Sequence, residues 1–357
     1  MLQKYQMKKK LTINKESTIK DAMKLLNETG ENCLLVVENN KFYGTLTDGD
    51  IRRSILSGIK TRSSIESCVN TSPVFFEYYN YDISDVKSVM LKKKIDLIPL
   101  IDKNNVVIDY LTWDKVFGKD KVKSRSSLNI PVVVMAGGKG TRMKPFTNVL
   151  PKPLIPIKDK TMIEYIISQF TDYGCEQFYI SINYKSKIIK AFFDELKPPY
   201  QTIFIDEEKP LGTAGSLYQI KDKINSPFFV SNCDILINCD YSKLFNFHVK
   251  GGYDLTLVAS TKEFVIPYGA CEIDKNGELL KINEKPSYDF LVNTGLYILN
   301  PNITSFIPKN KFYHITHLIE DLKKQDLKIG VFPVSEDAWI DVGQWSEYQN
   351  ALKVVQK

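Results

Sequence analysis

A hydrophobic run, Pro131-Val132-Val133-Val134-Met135-Ala136, leads straight into Gly137-Gly138-Lys139-Gly140-Thr141-Arg142, and Leu150-Pro151-Lys152-Pro153 follows. Glycines let the main chain come close enough for several N–H groups to point at phosphate oxygens, and Arg142 and Lys152 add two fixed cations. This is the chemistry of a polyphosphate cradle. Two commoner phosphate loops are excluded. A dinucleotide fingerprint wants G-x-G-x-x-G, but the third position is Met143, and a Walker A loop wants Gly-Lys-Ser/Thr, which is missing here. Further along, Asp234 closes the apolar run 228–233, and Asp341 lies between Trp339-Ile340 and Val342-Gly343. A hard cation such as Mg²⁺ is held by one or two carboxylates plus phosphate oxygens, so both aspartates are candidate ligands. Each could equally cap a helix, Asp341 above all, because a helical pattern follows it.

The ordered set G-G-x-G-T-R (137–142), Arg142-x4-Thr147 and Pro151-Lys152-Pro153 resembles the signature of the sugar-1-phosphate nucleotidyltransferases. The resemblance implies that Ala136, Gly137, Gly138, Gly140, Thr141 and Arg142 bind the nucleotide phosphates. It implies that Lys152 neutralises the α-phosphate or the incoming sugar phosphate, and that Asp234 and Asp341 meet to bind Mg²⁺. Arg142, Lys152, Asp234 and Asp341 are then the catalytic set. The small residues of segment 206–215, Gly212 and Thr213 among them, would admit the flat base, and the residue five before Gly212 would face its Watson–Crick edge. Thymidylyl- and uridylyltransferases of the family tend to carry Gln there; this chain has Glu207. An ionised carboxylate only accepts hydrogen bonds, and guanine offers two adjacent donors, N1–H and the 2-amine. Uracil and thymine would turn carbonyl oxygens towards that charge. Glu207 therefore points to GTP, unless Glu207 and Glu208 are solvated loop charges. Gly269, Glu284, Lys285, Asn293 and Thr294 match family elements that hold sugar hydroxyls and the sugar phosphate.

The elements that must position these groups alternate β and α. Apolar strands over 131–136, 177–182, 201–205 and 227–231 are separated by helical stretches over 162–173, 187–196 and 214–221. Short buried strands with helices between them imply an α/β, Rossmann-like domain with a mixed, mostly parallel sheet covered on both faces. Ligands of such sheets bind beyond the carboxyl ends of the strands, where the glycine loop and Asp234 fall.

The first 118 residues repeat themselves: helix 19–27, strand 33–37, turn, strand 42–46, then helix 83–92, strand 98–101, turn, strand 106–111. Asp50 and Asp114 stand 64 residues apart at corresponding points, a sign of duplication. Both copies resemble CBS modules, whose tandem pair (a Bateman module) often binds adenine nucleotides. By that resemblance Asp50 would hold ribose hydroxyls, with Thr47 three residues before it. The second copy has Asp114 but Leu111 at the hydroxyl position. Ligand sensing and dimerisation are both open for this pair. The polar stretch 119–130 reads as a linker, and 131–357 as the nucleotidyltransferase domain.

Composition sets the limits. The 357 residues carry 48 basic and 42 acidic side chains, a net charge of +6, with the basic residues scattered; this excludes a nucleic-acid footprint and leaves a mild bias to anionic ligands. No apolar run is long enough to span a membrane and no signal-peptide core opens the chain, so a cytoplasmic protein is expected. The six cysteines (33, 68, 175, 233, 239, 271) contain no C-x-x-C pair and read as reduced core thiols. His248, His314 and His317 form no triad or metal site, the last two reading as a solvated helix face. With only 16 residues following Asp341, no hexapeptide-repeat β-helix, and hence no bifunctional acetyltransferase-uridylyltransferase, is expected. The expected function is a homo-oligomeric guanylyltransferase making a GDP-sugar and pyrophosphate. Fusion of a CBS pair to this domain resembles the glucosamine-1-phosphate guanylyltransferases of legionaminic acid biosynthesis. Mannose 1-phosphate, phosphocholine, and a catalytically silent nucleotide-binding regulator are the alternatives.

Overall fold

The computed structural model describes residues 11–117 and 127–354. Most of the expected linker, 119–126, lies outside the described residues. The chain divides into two compact units, and the division is not contiguous. Residues 261–291 and 335–337 group with residues 1–124, and the remainder forms the second unit.

In the first unit the duplication is plain. Strand β1 (Thr12–Asn14), helix α1 (Ile19–Thr29), strands β2 (Cys33–Glu38) and β3 (Lys41–Thr47) and helix α2 (Asp48–Leu56) make one module. Strand β4 (Phe76–Glu77), helix α3 (Ile83–Lys93), strands β5 (Leu97–Ile101) and β6 (Val107–Thr112) and helix α4 (Trp113–Phe117) make the other. Each sheet has a parallel outer strand and an antiparallel hairpin, in the orders β1-β2-β3 and β4-β5-β6. Thr18 and Asp21 cap α1 reciprocally, and its buried stripe of Ile19, Ala22 and Leu26 packs into the module core.

The register corrects the expected match of Asp50 with Asp114. Cys33 pairs with Thr47 and Leu97 with Thr112, so Thr112, not Leu111, stands where Thr47 does. The second turn holds one residue more than the first: Val37 pairs with Phe42, whereas Ile101 pairs with Val107. The counterpart of Asp50 is therefore Lys115, and Asp114 is an exposed residue one place short. In the first module Thr47 and Asp50 form a capping box on α2, and Asp50 also pairs with Arg53. Lys115 instead reaches back to Asp109, 3.1 Å, and to the carbonyl of Tyr110, 2.8 Å.

The second unit begins its described part with an ordered lead-in rather than a free linker. The N–H of Leu128 bonds the carbonyl of Tyr173 at 2.8 Å, and Ile130 is buried in the core. Strand β7 (Val132–Met135) precedes a short helix α5 (Phe146–Val149), the small hairpin β8 (Pro156–Ile157) and β9 (Lys160–Thr161), and helix α6 (Met162–Thr171). Then come β10 (Gln177–Ile182), α7 (Ser186–Leu196), β11 (Gln201–Asp206), β12 (Phe228–Asn232), β13 (Ile235–Ile237) and α8 (Tyr241–Gly251). Two long strands, β14 (Leu255–Val265) and β17 (Ser287–Leu299), flank the hairpin β15 (Ala270–Ile273) and β16 (Leu279–Asn283). Helix α9 (Ile315–Lys324), strands β18 (Ile329–Val334) and β19 (Trp339–Asp341) and helix α10 (Trp345–Val354) complete the chain.

The main sheet runs β11-β10-β7-β12-β17-β14-β18. Its β11-β10-β7-β12 half is parallel and β17 is antiparallel to β12, a mixed, mostly parallel sheet as expected. Alternate residues of β7 enter opposite cores: Val132 and Val134 pack with α6 on one face, Val133 and Met135 with Leu217 and Tyr297 on the other. The chain leaves β7 towards β10 on one side and returns to β12 on the other, which opens a crevice at the carboxyl end of β7. The helix expected over 214–221 is instead a tight 3-10 turn, Gly215–Ile220. The N–H groups of Ala214 and Gly215, at the start of this turn, both donate to the carbonyl of Tyr313. Among the described residues no helix is long and apolar enough to cross a membrane.

In the first unit, segment 261–291 is tied to the first module. Thr61 gives its N–H and hydroxyl to Asp289, at 3.2 and 2.7 Å, and Lys20 reaches Glu263 at 2.7 Å.

Candidate active site

The carboxyl ends of β7 and β12 open into a cavity of about 400 Å³, of small-molecule size. Gly137, Gly138, Gly140, Thr141 and Arg142 form one wall. Gly140 has φ +62°, and a Cβ there would lie 2.8 Å from Thr147 Cγ2 and 2.9 Å from Lys152 Cβ. Glycine is thus required twice over, by the dihedral and by the close approach of the segment that brings Lys152 in. Thr147 is buried and its hydroxyl bonds the carbonyl of Gly140 at 3.0 Å, so the Arg-x4-Thr spacing closes the loop on itself. Gly138 has open space around it. Ala136, expected in the cradle, is not on the cavity wall: it is buried in the core and its N–H is taken by the carbonyl of Ser181 at 2.8 Å.

Packed against the loop, Lys152 is 7% exposed and its ammonium pairs with Asp234. Asp234 stands between β12 and β13, and β13 pairs with β19 so that Ile235 faces Asp341. The N–H of Val342 donates to the carbonyl of Asp234 at 2.7 Å. That pairing brings the two aspartates together. A Cβ on Gly343 would lie 2.7 Å from Asp341 Oδ1, 2.9 Å from Asp234 Oδ2 and 3.2 Å from Lys152 Nζ. The helix-cap alternative for Asp341 fails, since it ends a strand and accepts the N–H of Gly343 at 2.8 Å. Two carboxylates facing one gap with a lysine beside them fit a hard divalent cation that draws its other ligands from phosphate and water. Among the described residues no cluster of three or more His, Cys, Asp or Glu exists to hold a metal by protein ligands alone.

Glu207 also lines the cavity and is 8% exposed. It is no solvated loop charge; its neighbour Glu208 is. Ser181 meets Oε1, the N–H of Leu211 donates to Oε2 at 2.9 Å, and a Cβ on Gly137 would lie 3.1 Å from Oε1. Gly212 and Thr213 follow on the same wall. Gly212 has φ +80°, and a Cβ there would meet the carbonyl of Tyr313 at 2.7 Å. Segment 311–315 straps this loop: Tyr313 N–H bonds Leu211, and Ile315 N–H bonds the Thr213 hydroxyl at 3.0 Å. His314 occupies the N-cap position of α9 with Nδ1 3.4 Å from that hydroxyl, not the solvated face expected, while His317 is exposed. Phe312 is 59% exposed and lines the cavity. Cys233 also lines it, but burial pushes its thiol up to about 12, so it is no nucleophile at neutral pH.

The expected sugar residues fall in both units. Asn293 is exposed on β17 with Nδ2 donating to the Tyr297 hydroxyl at 2.8 Å. Thr294 is buried and its hydroxyl donates to the carbonyl of Val258 at 2.9 Å, a sheet-stabilising bond rather than a ligand contact. In the other unit, Gly269 and Glu284 are neighbours: a Cβ on Gly269 would lie 3.1 Å from Glu284 Oε2. Lys285 is exposed there at φ +44°.

Gly343 and Phe312 escaped the sequence reading. Gly343 had a signal, its place two residues after Asp341; Phe312 had none, because its position depends on a strap a hundred residues from the loop it covers.

The sequence pattern of the nucleotidyl transferase family matches residues 131–357, and that of the CBS domain matches residues 3–57. A UTP–glucose-1-phosphate uridylyltransferase of Synechocystis is 30% identical over 247 residues, covering 62% of each chain. A mannose-1-phosphate guanyltransferase of Pichia angusta is 30% identical over 230 residues, again 62% of each chain. This chain therefore spans less than two thirds of the length of these relatives. Among solved structures, HddC from Yersinia pseudotuberculosis, complexed with GMP-PN, matches with a TM-score of 0.50 and 27% identity, over 63% of this chain and 99% of that one.

Proposed function

This chain belongs to the nucleotidyl transferase family, and we propose that it is a sugar-1-phosphate guanylyltransferase, converting GTP and a sugar 1-phosphate to a GDP-sugar and pyrophosphate. The observation that carries the guanine reading is the buried carboxylate of Glu207, facing the glycine loop in one cavity with Arg142, Lys152 and Asp234. A uridylyltransferase is among the relatives, so similarity alone leaves the base open. The acceptor-only chemistry of Glu207 favours guanine over uracil.

A sugar-phosphate oxygen attacks the α-phosphorus, the bond to the β-phosphate oxygen breaks, and pyrophosphate leaves with that electron pair. A phosphate monoester is largely dianionic at neutral pH, so no strong general base is called for. The chain's part is positioning and charge neutralisation. Glycine-loop N–H groups and Arg142 hold the β- and γ-phosphates, Lys152 leaves Asp234 for the phosphate that bears the developing charge, and Glu207 fixes the base. Asp234 and Asp341 would hold Mg²⁺, which when bound supplies positive charge to the phosphates. Asn293, in the same unit as the cavity, is the candidate sugar contact.

Glucosamine 1-phosphate and mannose 1-phosphate are both carried forward, the second because several relatives are named for it. For the N-terminal unit we take residues 1–118 as a CBS pair that dimerises the enzyme or binds one adenine nucleotide at Thr47 and Asp50. The second module, with Lys115 at the carboxylate position, is the weaker site.

Pyrophosphate release with GTP, UTP, CTP, dTTP and ATP, each against a panel of sugar 1-phosphates with Mg²⁺, tests the reading. GTP-dependent release with glucosamine or mannose 1-phosphate supports it. Preference for UTP would refute the role of Glu207, and silence with every pair would favour a nucleotide-binding regulator.

A further inference from the structure

Ser181, near the end of β10, is fully buried, yet its hydroxyl meets Oε1 of Glu207. A hydroxyl facing a carboxylate donates. The other oxygen takes the N–H of Leu211 at 2.9 Å. The main chain of Glu207 is fixed as well: its N–H bonds the carbonyl of Ile182 at 2.9 Å, and its own carbonyl accepts from Asn183 Nδ2 at 2.6 Å. A carboxylate has about four acceptor positions, and Ser181 and Leu211 use one on each oxygen. One position per oxygen remains, and the missing Cβ of Gly137, which would come within 3.1 Å of Oε1, leaves that side of the group uncovered. Two acceptors in one plane suit two parallel donors.

We propose that Ser181 is a positioning residue for base selection: by holding Oε1 it fixes the plane of the Glu207 carboxylate, and so sets the discrimination between guanine and purines that lack the 2-amine. The inference rests on the guanine reading of Glu207. Without the hydroxyl, Oε1 turns to find another donor, and the pair of acceptors no longer matches N1–H and the 2-amine together.

The test compares kcat/KM for GTP and inosine triphosphate, which lacks only the 2-amine, in wild type and Ser181→Ala. A site built on such hydrogen bonds should favour GTP in the wild type, and Ser181→Ala should narrow that ratio at least about tenfold. A merely structural serine would lower both values together and leave the ratio in place, which would overturn the inference. If Ser181→Ala does not fold, Ser181→Cys replaces it, with a side chain of similar size that donates far more weakly; the same narrowing or constancy decides. Calorimetric binding of GDP and IDP reads the ratio without turnover. A wild type that does not prefer GTP over UTP would refute the guanine reading itself, a distinct result.

Discussion

Replacing Gly343 by alanine should cost turnover far more than stability. The position is buried, and its φ lies outside the left-handed region, so the backbone itself accepts alanine. The added methyl would lie 2.7 Å from Asp341 Oδ1, 2.9 Å from Asp234 Oδ2 and 3.2 Å from Lys152 Nζ. Ordinary carbon contacts begin near 3.4 Å, so both carboxylates must retreat by roughly half an ångström or more. Overpacking on this scale costs about 1–3 kcal/mol of stability. Displacing preorganised charges by a fraction of an ångström up to ~1 Å costs up to about 10²-fold in rate. Pyrophosphate release under saturating GTP and sugar phosphate should therefore fall by about two orders of magnitude, while the thermal midpoint drops only a few degrees. Turnover of Gly343→Ala within threefold of wild type would refute the convergence of Asp234, Asp341 and Lys152 as the seat of the chemistry.

Asp234→Ala should lower kcat by at least ~10²-fold and also destabilise the protein by about 3 kcal/mol, because it strands the ammonium of Lys152, 7% exposed; urea unfolding separates the two effects. His248 is buried with Nδ1 2.9 Å from the Thr256 hydroxyl and Nε2 3.1 Å from Asn300 Oδ1, and burial lowers its pKa against the opposing pull of Asn300 and Asp254. The unfolded chain takes up this proton near pH ~6.5 and the folded chain only at lower pH, so His248 makes stability fall as pH drops below ~6.5. Urea midpoints at successive pH values should show this slope in wild type and lose it in His248→Gln. Iodoacetamide at neutral pH should label Cys271 first, because it is exposed, and spare Cys233, whose thiol burial raises to about 12; peptide mapping reads the order.

The strands and the glycine loop were legible because their signals are local. Val132 to Met135 alternate between two cores, and that double burial writes itself as an unbroken apolar run. Gly140 must be glycine for its own dihedral, which any reader of the chain can suspect. The module repeat was visible too, but its register was not. One extra residue in the second turn moved the counterpart of Asp50 from Asp114 to Lys115, and only strand pairing counts that residue. Ala136 and Thr294 sit inside motifs, yet hydrogen bonds to Ser181 and Val258 turn them to structural use. The meeting of Asp234 with Asp341 lies furthest from the sequence. It depends on a two-stranded pairing across more than a hundred residues, which also places Gly343 against both carboxylates. Residue type and spacing determined which chemistry this chain can carry. The tertiary structure alone decided which of those groups share a cavity, because contacts between distant segments are set by packing and pairing that no short stretch of chain encodes.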